Sequence, residues 1–279
     1  MVELPASASG SRAIDVARDV TLAGGALARS RFGGTHRIDS KGRGNVVTET
    51  DVEVELQIKQ QLALAYPEHS VLSEETAADT DPSRGWCWVI DPIDGTKNYS
   101  QGIPIWCTTV ALCFDGEPVV GVTYDAMRNE CFSAVRGEGA WLGDARVQAS
   151  KRDDVASSVI GVDLGYDDAL GAAQIALIAR IFPRVQTVRI LGSAALGIAY
   201  AASGRLDAFT HMNVYPWDIA AGILLVREAG GVITERAGGP ASITTRAFVA
   251  GGRRVHDDFI VRYASVEGGA PGDFRAKGG

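Results

Sequence analysis

Residues 88–99 read WVIDPIDGTKNY: an apolar run, two aspartates three positions apart, then Gly95, Thr96, Lys97 and Asn98. The run WCWVI (86–90) has the β-branched and aromatic content of a buried strand. A strand that exits into Asp91 and Asp94 sets two like charges side by side, and burying such charges without a partner is costly. A bound cation resolves the conflict. So does a solvated turn in which an aspartate caps the next helix, and D-P-x-D alone fits both. Gly95-Thr96 follows at once, so backbone N–H groups at a turn or helix start can face an anion while the aspartates hold a metal on its other side.

Three more carboxylates stand at element ends. Glu74 follows the strand SVL (70–72), Asp51 follows VVTET at or near a helix start, and Asp218 sits behind Pro216-Trp217 in YPWDIAAG. Each alone also fits a solvated or capping charge. The set is all oxygen. The four histidines, His36, His69, His211 and His256, show no metal-ligand spacing. The four cysteines, Cys87, Cys107, Cys113 and Cys131, lack C-x-x-C spacing and read as reduced packing residues. Oxygen-only clusters suit magnesium or manganese above zinc.

Around these residues the pattern predicts a helix over 11–31, a mobile basic stretch over 36–45, and a second helix that Pro67 ends. Strands over 105–114, 118–125 and 130–135, with turns at Asp115-Gly116 and Arg128-Asn129, read as an antiparallel meander. From about residue 155 strands alternate with helices. The expected division is an α+β domain over 1–150 carrying most candidate ligands and an α/β domain over 151–279 carrying Asp218, with a disordered tail over 266–279. GEGAWLG (137–143) is flanked by strand-like sequence and reads as a hairpin turn, not a dinucleotide fingerprint.

A net charge of −7 and a pI near 5.2 argue against a general nucleic-acid binder. No segment approaches the roughly 18 apolar residues that cross a membrane, and the N-terminus lacks a basic start with an apolar core, so the expected location is the cytoplasm.

VVTETD (46–51), SEET (73–76), WVIDPIDGTKNY (88–99) and PWDIAAGILLVREAGG (216–231) together resemble the signature blocks of the inositol monophosphatase family, in its order and spacing. The resemblance runs over about residues 11–264 and implies a five-layered αβαβα sandwich. It also implies a magnesium-dependent, lithium-sensitive phosphatase of a small phosphorylated metabolite, usually a homodimer. By the same resemblance Glu74, Asp91 and the Ile93 carbonyl would bind one ion, Asp91, Asp94 and Asp218 a second, and Glu74 and Asp51 a third through water. Two or three Mg2+ per subunit follow, with Mn2+ as a substitute.

Gly95 and Thr96 match the family's phosphate-binding backbone. Thr96 and Asp51 would orient or deprotonate the attacking water, with Glu74 holding it on the metal. Lys41 or Arg43 falls where the family carries a catalytic-loop lysine, though either also fits a solvated loop charge. Gly192-Ser193-Ala194 matches the alcohol side of the pocket, or is only a helix cap. Inositol-specific members carry an acidic residue seven before the W-D aspartate; here it is His211.

Inositol monophosphate or a related polyol phosphate is the first expected substrate. Histidinol phosphate comes next, because TKNY followed by GIPIWC resembles that branch; fructose 1,6-bisphosphate and 3′-phosphoadenosine 5′-phosphate follow. Haloacid-dehalogenase phosphatases need D-x-D on their first strand, whereas this chain has D-x-x-D at residue 91. A regulator or scaffold that keeps the fold is the non-enzyme alternative, and the complete carboxylate set argues against it.

Overall fold

The computed structural model describes residues 3–34, 38–42, 45–76 and 80–264. His36, Arg43 and the tail 266–279, read above as disordered, lie outside the described residues, as does the side chain of Lys41.

The N-terminal half begins with α1 (Ala13–Arg31), β1 (Ile38–Gly42), β2 (Asn45–Thr48) and α2 (Glu49–Ala65). It continues through β3 (Ser70–Ser73), β4 (Trp86–Asp94) and the short helix α3 (Thr96–Ser100). The meander follows as β5 (Cys107–Phe114), β6 (Glu117–Asp125), β7 (Glu130–Val135), β8 (Gly139–Leu142) and β9 (Ala145–Arg146). The C-terminal half alternates: β10 (Val159–Val162), α4 (Asp168–Ile181), β11 (Thr187–Ile190), α5 (Ala194–Ala202) and β12 (Ala208–His211). It closes with α6 (Pro216–Glu228), β13 (Val232–Glu235), β14 (Phe248–Gly251) and α7 (Arg253–Phe259).

Strands β3 to β9 form a seven-stranded sheet in chain order, antiparallel except for the β3–β4 pair. The second sheet has the order β11-β10-β12-β14-β13; β10 runs parallel to both neighbours, and β14 antiparallel to both of its own.

Side chains alternate across each strand, so each sheet can bury two faces against helices. On β4, Trp88 and Ile90 pack with Ala17 and Val20 of α1 and Val54 and Ile58 of α2. Their neighbours Cys87 and Val89 point the other way, into a core with Ile198 of α5 and Ile223 of α6. That middle core also takes Phe209, Phe248 and Ala250 from the second sheet, whose outer face buries Ile160 and Val249 against Leu177 of α4 and Phe259 of α7. Three cores between five layers make the αβαβα sandwich that the resemblance implies. The layers approach closely: a Cβ at Gly121 of β6 would stand 2.9 Å from the Ala221 Cα of α6.

The meander forms as expected, with positive φ at Asp115 (49°), Gly116 (79°) and Asn129 (56°) in its turns. GEGAWLG is a hairpin turn, since β8 folds back on β7. All four cysteines are free. Within 36–45, read as a mobile basic stretch, the described residues 38–42 are a strand: β1 pairs antiparallel with β2, Ile38 opposite Thr48 and Asp39 opposite Val47. Its charged, glycine-rich composition hid the β-branched Val46-Val47-Thr48, which suits a paired strand. Among the described residues no helix is long and apolar enough to cross a membrane.

Candidate active site

Strand β4 runs past Ile90 to Asp94, and its pairing with β5 slips on the way: Asp91 faces Thr109, but Asp94 faces Cys107. Three steps along β4 therefore oppose two along β5, a one-residue bulge at the position where Pro92 supplies no N–H to the ladder. In a regular strand residues three apart point to opposite faces. The bulge instead brings both carboxylates to one side.

Asp218 joins them from the third residue of α6, where its Oδ2 accepts the Tyr215 N–H at 2.7 Å. Oxygens of Asp91, Asp94 and Asp218 all lie within 4.8 Å of one another. Burial, followed by the charges of Glu74, Asp94 and Asp218, pushes the Asp91 carboxyl well above the usual carboxylate range. Asp218 is pushed up to about 7 by burial and then by Asp94. Asp91 Oδ1 is buried with no hydrogen-bond partner. An orphaned carboxylate oxygen in an all-oxygen cluster fits a hard cation such as Mg2+, which supplies the missing counter-charge.

Asp94 is oriented by the start of α5. It accepts the N–H of Ala195 at 2.9 Å and of Ala194 at 3.2 Å, with the Ser193 hydroxyl also bonded to it. The turn before α5 is held in its own right. Asp163, just beyond β10, accepts the N–H groups of Gly192 (2.7 Å), Leu191 (2.9 Å) and Ser193 (3.3 Å). Asn98 Nδ2 donates to the carbonyls of Ile105 and Leu191, both at 2.8 Å. The sequence reading missed Asp163 and Asn98. Asp163 carries the signal that singled out Asp91, a carboxylate at a strand exit, and Asn98 lies inside the quoted motif.

Asp51 caps its own helix, its Oδ2 accepting the Thr48 N–H at 2.8 Å and the Thr48 hydroxyl at 2.5 Å. Its Oδ1 faces the Thr96 hydroxyl at 3.2 Å, and that hydroxyl also lies 2.9 Å from the Ile93 carbonyl. Burial pushes Asp51 up to about 6 against these hydrogen bonds. Gly95 turns the chain with φ +95°, and a Cβ there would stand 3.0 Å from the carbonyl oxygens of both Gly192 and Ile105. Glycine is thus required on conformation and on space.

A cavity of about 470 Å³ unites these groups. Glu74, Asp91, Ile93, Asp94 and Asp218 line it, as do Gly95 and Thr96. Gly192, Ser193 and His211 line it too, together with Lys97. Asp51 reaches it through Thr96. His211 is buried, which pushes its pKa down to about 4, and its Nδ1 accepts the Asn213 N–H at 3.0 Å. A backbone amide can only donate, so the neutral ring carries its proton on Nε2. The Tyr215 and Trp217 rings stack at 5.0 Å and 4°, with the Arg246 guanidinium 3.8 Å over Tyr215.

Residues 11–267 match the model of the inositol monophosphatase family. Nus factor SuhB of Salmonella typhimurium is 37% identical over 216 residues, 77% of this chain and 81% of the relative. Inositol monophosphatase 2 of Solanum lycopersicum is 34% identical over 254 residues, 88% of this chain and 96% of the relative. The crystal structure of extragenic suppressor protein suhB from Bartonella henselae superposes with a TM-score of 0.83 at 31% identity, covering 90% of this chain and 98% of that one. The chain belongs to the inositol monophosphatase family.

Proposed function

We propose that the chain is a Mg2+-dependent phosphomonoesterase of a small phosphorylated alcohol, hydrolysing the ester with water and without a covalent enzyme intermediate. The observation that carries this reading is the convergence of Asp91, Asp94 and Asp218 in a cavity, with Asp91 Oδ1 buried and unpartnered. Asp91, Asp94 and Asp218 would hold one ion, and Glu74, Asp91 and the Ile93 carbonyl another, with a third reached by Glu74 and Asp51 through water. When bound, Mg2+ or Mn2+ neutralises phosphate charge and lowers the pKa of a coordinated water.

The chain's own groups supply the rest. Gly95 and Thr96 offer backbone N–H groups to the phosphate at the turn after β4. The Thr96 hydroxyl can orient the attacking water, and Asp51, raised to about 6, is poised near neutrality to take up its proton. Glu74 supports the same water from the end of β3. Gly192, Ser193 and His211 would face the departing alcohol, and Lys41 of β1 is a substrate contact on the strength of the resemblance alone. Inositol monophosphate, related polyol phosphates and histidinol phosphate are the esters to compare.

A scaffold that merely keeps the fold has no need of three carboxyl groups converging on a cavity, which favours the enzyme. The decisive experiment is phosphate release from the ester panel with Mg2+ and in EDTA. Release with Mg2+, its loss in EDTA and its inhibition by lithium are expected; undiminished release in EDTA overturns the reading. The subunit is further proposed to pair as a homodimer, which sedimentation equilibrium tests.

A further inference from the structure

We propose that Glu55 is a positioning residue: from α2 it fixes the turn after β3 that carries Glu74, and so sets how firmly the site takes up the ions that Glu74 would hold. The proposal rests on the phosphatase reading above and gives that site a support from outside the cavity.

Glu74 stands where the sheet lets go of the chain. β3 is the edge strand of its sheet and pairs with β4 alone, up to Ser73 opposite Ile90. One bond further, the Glu74 N–H reaches the Ile90 carbonyl at 3.3 Å, and the strand has ended. Glu74 nevertheless lines the cavity, and among neighbouring charges it acts most strongly on the buried Asp91 carboxyl. A metal ligand at the end of an edge strand needs a second anchor to keep its geometry.

Helix α2 supplies that anchor. The Glu55 side chain is only 2% exposed, and both of its oxygens serve the two residues that follow Glu74. Oε2 accepts the Glu75 N–H at 2.8 Å, and Oε1 accepts the Thr76 hydroxyl. Lys59, one turn on, donates to Thr76 Oγ1 at 2.6 Å and lies 3.8 Å from Glu55 Oε1. With the Thr76 proton directed to Glu55, the Ser73 hydroxyl at 3.2 Å is the donor of that pair. The turn over 73–76 is thereby closed on itself and clasped to the helix. Glu55 does not line the cavity, so its influence on the site runs through Glu74. Asp51 lies one turn before Glu55 on the same face of α2 and reaches Thr96, while Val54 and Ile58 pack the helix on Trp88 and Ile90 of β4. One rigid element therefore places Asp51 directly and Glu74 through its turn, two groups that the proposed reaction brings to one water.

The test is a double-variant cycle read as Mg2+ affinity, by titration calorimetry on the folded protein, beside the Mg2+ concentration that gives half-maximal phosphate release from the best ester of the panel. Glu55→Gln keeps the length and one acceptor oxygen but turns an NH2 group toward a donor. It is expected to weaken Mg2+ binding by about tenfold or more and to raise the half-maximal concentration by a similar factor. In a Glu74→Gln background the same substitution is expected to change Mg2+ affinity by less than about twofold, because the two residues act as one unit. Thr76→Val is expected to follow Glu55→Gln, and Thr76→Ser, which keeps the hydroxyl, to match the parent; this pair carries the test if Glu55→Gln does not fold. A melting temperature that falls in Glu55→Gln and Thr76→Val while Mg2+ affinity holds makes the clasp a matter of stability alone and overturns the proposal. So does an effect of undiminished size in the Glu74→Gln background. Either result leaves the phosphatase reading intact, whereas a parent protein that binds no Mg2+ and releases no phosphate overturns both.

Discussion

The Thr96 hydroxyl lies 3.2 Å from Asp51 Oδ1, while the other oxygen of Asp51 is taken by Thr48. The carboxylate that caps α2 is thereby wired to the turn that follows β4. Thr96→Val keeps the shape and removes the hydroxyl. The expected result is a loss in kcat of about 100-fold or more with Mg2+ affinity little changed, and recovery in Thr96→Ser. Steady-state rates beside a Mg2+ binding isotherm check it.

Asp91→Asn replaces a buried carboxyl, which can ionise only against the charges around it, by a neutral amide of nearly the same volume. Activity is expected to fall by at least about 100-fold, because even groups one step removed from a metal cost that much when altered. The metal-free protein is expected to melt no lower than the parent, since like-charge repulsion is relieved. Calorimetry of both proteins in EDTA separates the two effects.

Asp218 and Asp51 hold their protons up to about 7 and about 6 in the fold, against 3.8 ordinarily. Between these limits the folded chain binds more protons than the unfolded one, so stability falls as pH rises. Metal-free protein is therefore expected to lose melting temperature as pH rises from about 4 to about 7. Saturating Mg2+, which binds the ionised carboxylates, is expected to shrink that slope. Scanning calorimetry at stepped pH, with and without Mg2+, reads both.

Gly121→Ala places a methyl group 2.9 Å from the Ala221 Cα, in a contact made by backbone and unable to yield cheaply. The cost is expected to be about 1–3 kcal/mol. Because Ala221 lies one turn beyond Asp218 on α6, Mg2+ affinity is expected to weaken with stability. A thermal melt and a Mg2+ titration on the same sample check the pairing.

Much of this site was legible in the sequence because strand exits and helix starts leave local signatures. Asp51, Glu74, Asp91, Asp94 and Asp218 all stand at such boundaries, and the structure brings all but Asp51 to the cavity wall directly. What local pattern cannot show is a partner distant in the chain. Asp163 matters through three N–H groups at 191–193, and Tyr215 through Arg246, and neither link has a fixed spacing. The bulge on β4 was equally hidden, although Pro92 marked the place. The β1–β2 pairing escaped notice because glycines and charges dominated the stretch around it.

The acidic cluster draws Asp91 and Asp94 from the first sheet and Asp218 from the helical layer behind it. A molecule whose α6 has come loose keeps two of the three carboxylates and loses the repulsion between them and the third. Without a cation, then, the cluster works as a spring that pushes the helix outward; with one, as a rivet. Occupancy of the site should consequently be audible in the amide hydrogen exchange of α6, which slows as the ion joins the layers.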